Sequence, residues 1–166
     1  MFFDIGIGIL LAIFGTSVLG LSWNGLFISM CIVFALVPDI DMLSLASKKL
    51  DRFFGGHRGW MHYPVIHILP LILIGLLFGW QWGILFGLGV FIHLIHDTFW
   101  IGSGIKWLWP YSKKSYTYFS QEYVVKPGDG WIRAFYFRWN RVTIIEWGVF
   151  VAAVIIALYF SFTSMR

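Results

Sequence analysis

Apolar residues run along this chain in five long blocks, separated by short polar breaks or by basic segments. A helix that crosses a bilayer needs about 20 largely apolar residues, and the blocks at 5–21, 25–37, 64–79, 82–99 and 142–160 approach that length. The triplet Ser22-Trp23-Asn24 separates the first two. The second block stops at Pro38 and is short, which predicts a segment that is tilted, begins earlier or is partly re-entrant. The third and fourth blocks meet at Trp80-Gln81, a break so tight that it predicts an antiparallel hairpin. The pattern as a whole predicts an all-α fold. It is an integral membrane helical bundle of about five spans, forming a single transmembrane domain over residues 1–166.

The segments 38–63 and 100–141 differ in character from the spans. Residues 42–54 mix Leu43, Leu45, Leu50 and Phe53 with Lys48, Lys49 and Arg52, the pattern of an amphipathic helix lying in the interface. Residues 131–141 repeat this basic-aromatic mixture. Between them, Lys126-Pro127-Gly128-Asp129-Gly130 reads as a turn.

Composition supports a lipid environment. Of 166 residues, 59% are hydrophobic and 12% charged, whereas a soluble domain carries roughly a quarter charged residues. Aromatic residues make up 20%, with ten Trp, as expected where Trp and Tyr anchor helices at both interfaces. Cys31 is the lone cysteine, so an intrachain disulfide is excluded. The N-terminal block has no basic n-region and no clear small-residue cleavage site, which reads as a retained span. Gly75/Gly79 and Gly83/Gly87 have the small-xxx-small spacing that lets helices approach closely.

The net charge of +4 does not point to nucleic acid, because the basic residues flank the spans. Lys48, Lys49, Arg52 and Arg58 lie in 38–63. Lys106, Lys113, Lys114, Lys126, Arg133, Arg138 and Arg141 lie in 100–141, and only Arg166 of the twelve falls elsewhere. The positive-inside rule makes both segments cytoplasmic. The expectation is a bacterial-type inner membrane protein with its N-terminus in and its C-terminus out, and with membrane lipids as partners.

Ionisable groups at membrane depth are costly and are functional candidates by default. Here they gather at the cytoplasmic end. Asp4 starts the first block, Asp39 and Asp41 follow the second, His57 and His62 lead into the third, and His93, His96 and Asp97 occupy the end of the fourth. His93 and Asp97 are four residues apart, so on a helix they share a face and can touch one ion together. At a rise of about 1.5 Å per residue His93 lies within the hydrocarbon, and the pair should face the bundle interior. Mixed nitrogen and oxygen donors suit Zn²⁺, Mn²⁺ or Fe²⁺ better than Ca²⁺. Simpler roles stand beside this one. Asp39 after Pro38 can cap a helix, His57 can be a loop residue, His67 a hydrogen-bonded core residue, and His96 an accessory or a lipid-facing group.

The order of these residues resembles a known pattern. Pro38-Asp39-Ile40-Asp41 is followed by His57-Arg58-Gly59-Trp60-Met61-His62, then His93-Leu94-Ile95-His96-Asp97, then Gly104 and Trp109-Pro110-Tyr111-Ser112. In these positions the chain is similar to the YdjM-like family of LexA-regulated inner-membrane proteins, assigned as metal-dependent hydrolases. Three positions depart from the family's pattern: Asp4 stands near a usual Thr-His, Tyr63 follows the second loop histidine in place of Ser, and Trp100 replaces a Thr, with Thr98 close by.

The resemblance implies a membrane-bound metal-dependent hydrolase. Asp39, Asp41, His57, His62, His93 and Asp97 would surround one or two divalent ions, with Asp41 as a further candidate for general base. Arg58 would grip a phosphate in a two-pronged way. A site at the membrane surface favours an amphiphilic, lipid-like substrate such as a phosphoester. The rival readings are an ion or small-solute transporter using the same His/Asp cluster, and a non-catalytic membrane scaffold with a structural metal site.

Overall fold

The computed structural model describes residues 1–55, 58–99, 104–118 and 141–164. Helix α1 spans Phe2–Ser17, α2 Gly25–Leu36, α3 Lys48–Phe54, α4 Ile68–Phe78, α5 Trp80–Phe99 and α6 Arg141–Ser164. Short 3-10 segments cover Val37–Ala46, Trp60–His62 and Pro64–His67. The described residues contain no strand, only an isolated antiparallel bridge between Ile105 and Tyr116. The all-α expectation holds.

Local chemistry sets the element ends. Asn24 caps α2, its side-chain oxygen accepting the Phe27 N–H at 2.9 Å, which satisfies one of the otherwise unpaired donors of the first turn. Pro38 does not end the helical path, contrary to the expected stop. It lacks an N–H and its ring crowds the preceding turn, so the ladder tightens into 3-10 geometry and continues. The combined apolar stretch Gly25–Leu43 is 19 residues long. The hairpin turn lies at Gly79, just before the expected Trp80-Gln81. Gly79 adopts φ +103°, a conformation that disfavours any residue with a Cβ.

Three helices, Gly25–Leu43, Trp80–Phe99 and Thr143–Thr163, are long and apolar enough to cross a membrane; Phe2–Ser17 and Pro64–Phe78 are shorter apolar helices. Leu76, Leu77, Ile155 and Leu158 stand exposed on α4 and α6. In water so much exposed apolar surface would drive association, whereas lipid is a suitable solvent for it.

The core lies where α1, α2 and α5 meet, around the fully buried Ala12, Cys31 and Leu85. Phe34 meets Phe86 and Trp82 edge-on. Two glycines set the spacing. A Cβ on Gly8 would come within 2.4 Å of Ile32 Cα, and one on Gly89 within 3.1 Å of the Phe34 and Ala35 backbone. Helix α6 packs along α1, and at the far end the Trp23 indole N–H donates to Ser161 Oγ at 3.0 Å.

Helix α3 begins at Ser47, whose hydroxyl accepts the Leu50 N–H, and ends at Gly55 with φ +73°. The amphipathic helix expected over 42–54 is thus split at Ser47, the residues up to Ala46 belonging to the 3-10 segment; Phe53 on α3 and Leu43 before it are exposed. The second basic-aromatic segment and the turn at 126–130 lie outside the described residues, apart from Arg141 at the start of α6. The alternating run of helices brings the starts of α1, α4 and α6 to the same end as the finishes of α2 and α5. Every ionisable group discussed below sits at that end.

Candidate metal centre

Three of the converging segments supply side chains to one point. Asp39 comes from the 3-10 turn after α2, His62 from the short 3-10 segment before α4, and His93 from the inner face of α5. One ligand atom from each lies within 4.8 Å of the others. Asp97, one helical turn beyond His93, joins them. The His62 Nε2 is 3.0 Å from Asp97 Oδ2 and 3.9 Å from Asp39 Oδ1. The His93 Nε2 is 3.5 Å from Asp39 Oδ1 and 3.8 Å from Asp97 Oδ2.

These separations can be tested against an ion. Metal–ligand bonds of roughly 2.0–2.2 Å at tetrahedral angles place ligand atoms about 3.3–3.6 Å apart. The four distances straddle that value. His93 Nε2 is buried and makes no hydrogen bond among the described residues. Buried polar atoms without a partner are rare and call for an explanation such as an ion. The residues fit a divalent cation and could hold one.

What stands behind the two imidazoles sharpens the fit. The His93 Nδ1 is 2.9 Å from the Ala35 carbonyl oxygen and 3.1 Å from Asp4 Oδ1. A carbonyl only accepts, so Nδ1 carries the proton and Nε2 presents its lone pair inward. The His62 Nδ1 is 2.8 Å from Asp41 Oδ2, which also accepts the Gly59 N–H at 3.2 Å. Both rings are thus oriented from the rear, as metal-ligating histidines commonly are. Burial pushes the His62 imidazole down, but the hydrogen bonds and charges of Asp41 and Asp97 push it up and prevail, leaving it above its ordinary value. The imidazoles are 1% exposed, the side chains of Asp39 and Asp97 14% and 11%, so what little exposure the centre has is on its carboxylate side.

Arg58 lies on that side. Its Nη2 donates to Asp97 Oδ1 at 3.1 Å, and its Nη1 is buried with no hydrogen-bond partner among the described residues. The backbone of Arg58 adopts φ +63°, a left-handed conformation that costs an L-residue roughly 1–2 kcal/mol. His57 lies outside the described residues.

The segment 104–118 packs beside the end of α5. The Trp107 indole N–H donates to Thr98 Oγ1 at 2.9 Å, and the Tyr118 N–H to the Thr98 carbonyl at 2.9 Å. Tyr63 accepts a hydrogen bond from Lys106 Nζ at 3.1 Å. Gly104 has φ +69°, and a Cβ there would meet the Tyr116 carbonyl oxygen at 2.5 Å.

Asp4 is buried against His93 and does not reach the convergence point. It opens a second group. His96, stacked on the Phe3 ring at 4.0 Å, turns Nδ1 toward Asp4 Oδ1 at 3.5 Å and Nε2 toward Glu146 Oε1 at 3.3 Å. Glu146 was not singled out in the sequence, although it is the one charged residue in the block 142–160 and such residues are costly in lipid. His67 hydrogen-bonds the Met61 carbonyl at 2.7 Å and is buried, as a core residue.

Fold and site together define an all-α membrane protein with a His/Asp cluster, able to hold a metal ion, buried at one end of its bundle. No curated protein and no solved structure matches the chain significantly. The profile of the YdjM inner membrane protein family matches residues 4–165. The chain belongs to that family, as its motifs predicted, and is therefore an inner membrane protein.

Proposed function

We propose that this protein is a membrane-bound metal-dependent hydrolase whose ion is held by Asp39, His62, His93 and Asp97. The observation that carries the reading is that the Nε2 atoms of His62 and His93 each lie 3.0–3.9 Å from the same two carboxylate oxygens, with both Nδ1 atoms held from behind. A divalent ion such as Zn²⁺, Mn²⁺ or Fe²⁺ supplies Lewis-acid chemistry there, polarising a phosphoryl or acyl oxygen and acidifying water toward neutral pH.

The chain's own residues do the rest. Asp41, fully buried, holds the tautomer and orientation of His62, which fits it better for this task than for general base. Asp4 and the Ala35 carbonyl do the same for His93. Arg58 is anchored through Nη2 on Asp97, leaving Nη1 to bind an anionic substrate oxygen where negative charge develops. That favours a phosphoester. The substrate is amphiphilic in this reading, because the centre sits at the end of the bundle that also carries the exposed Leu43 and Phe53. The basic residues around the same end, by the positive-inside rule, make it cytoplasmic, with the N-terminus in and the C-terminus out.

The test is hydrolysis by the detergent-purified full chain of a panel of phospholipids and soluble phosphoesters. Phosphate or headgroup release should stop on chelation and return with added divalent ion. Bound metal with ion flux in liposomes but no turnover would replace this reading with a transporter. Bound metal with neither would make the centre structural.

A further inference from the structure

Behind His93, on the side away from Arg58, two further carboxylates are buried in the bundle. Asp4 is 2% exposed and Glu146 1%. They are linked by His96, with Asp4 Oδ1 3.5 Å from one ring nitrogen and Glu146 Oε1 3.3 Å from the other. The same Asp4 Oδ1 lies 3.1 Å from His93 Nδ1. The other oxygen of Glu146 accepts the Phe3 N–H at 2.8 Å, which fixes the carboxylate between α6 and α1. A continuous line of contacts thus runs from Glu146 through His96 and Asp4 to the back of His93, using three helices.

We propose that Glu146 is a positioning residue for the metal centre, acting through His96 and Asp4 on the ring of His93. This rests on the metal reading above. The physical case is one of constraint. His93 Nδ1 has two acceptors, and the Ala35 carbonyl alone leaves the ring free to rock about that bond. Asp4 supplies the second point, its other oxygen pairing with the N-terminal ammonium at 2.9 Å. His96 holds it from the side, and the Phe3 ring and Glu146 hold His96. A buried carboxylate on α6 is costly to keep in lipid. The oxygen that accepts the Phe3 N–H also lies 3.5 Å from the N-terminal ammonium, a long ion pair, while the other oxygen faces His96. Outer partners of metal-bound histidines typically alter metal affinity by 10–100-fold when removed, and a residue one contact further out belongs at the lower end.

The full chain in detergent is titrated with Co²⁺ against a chromophoric chelator, and the visible absorption of the bound ion is recorded, for wild type, Glu146→Gln and Glu146→Asp. Thermal unfolding of each metal-free protein is measured in parallel. Glu146→Gln should weaken Co²⁺ binding roughly tenfold and change the visible spectrum, and Glu146→Asp should recover part of both. A tie that merely fastened α6 to α1 would lower the unfolding temperature and leave affinity and spectrum unchanged, and that result overturns the proposal. If Glu146→Gln does not fold, His96→Gln cuts the same line from α5, and wild-type affinity in that variant overturns it equally. Wild-type protein that binds no Co²⁺ overturns the metal reading and this inference together, whereas Co²⁺ bound equally by all forms overturns this inference alone.

Discussion

His93 Nδ1 sits 2.9 Å from the carbonyl oxygen of Ala35, the penultimate residue of α2. The contact is possible because Gly89, one turn earlier on α5, lets that helix touch the α2 backbone at Phe34 and Ala35. A main-chain oxygen therefore chooses which nitrogen of His93 faces the convergence point. Helix packing and site chemistry meet in that single bond.

Substituting Gly89 should disturb both at once. In Gly89→Val the new side chain meets backbone, which cannot move aside, so α5 is pushed from α2 at a cost of about 1–3 kcal/mol. The unfolding temperature in detergent and the Co²⁺ affinity should fall together. Gly148→Ala on α6, where a Cβ meets nothing within 4 Å, should leave both unchanged or raise stability slightly.

The four proposed ligands should stand apart from their supporting partners. Removing an imidazole in His62→Ala or His93→Ala should cost more metal affinity than the 10–100-fold expected for an outer partner. Competition titration measures this, and circular dichroism checks that the helices persist. Losses no larger than those of Asp41→Asn would argue against these ligands.

Asp41→Asn keeps the shape behind His62 but offers an amide where a carboxylate stood. Its oxygen can still accept from Nδ1 or from the Gly59 N–H, with weaker hold on the ring. The expected loss of metal affinity is roughly 10–100-fold, smaller than that of Asp39→Asn if Asp39 is the ligand. An opposite ranking of the two variants would exchange their roles.

Arg58→Lys should separate substrate binding from metal binding. Lysine keeps the charge but not the planar fork that reaches Asp97 and a substrate oxygen together. A lost charge-assisted hydrogen bond of about 1.5–3 kcal/mol corresponds to roughly a tenfold to hundredfold fall in kcat/KM on a phosphoester. Metal content under metal-replete conditions should not change, although a weaker hold on Asp97 lowers metal affinity somewhat.

Much of this molecule was legible in its sequence, and the reasons differ by feature. Apolar blocks and loop charge are one-dimensional signals, so an all-α membrane bundle followed directly from them. The motifs of Asp39, Asp41, His62, His93 and Asp97 carried the family. The α4–α5 hairpin was legible, but its turn falls at Gly79 rather than Trp80-Gln81, and the continuation past Pro38 was missed; each depends on a local backbone choice, a positive φ in one case and a tightened turn in the other. The rear partners of the imidazoles were out of reach. Which residue meets His93 Nδ1 depends on the register between α2 and α5, and helical periodicity does not encode register. Glu146 was different: a lone acid inside an apolar block was visible, but only its meeting with His96 gave it a place.

The most direct measurement is the metal content of the full chain, purified in detergent from cells grown in metal-replete medium and quantified by elemental mass spectrometry. Wild-type protein should carry a stoichiometric divalent transition metal, and the double variant His62→Ala/His93→Ala should carry none while keeping its helices. Wild-type protein free of metal, or a double variant that retains it, would contradict a metal centre at Asp39, His62, His93 and Asp97.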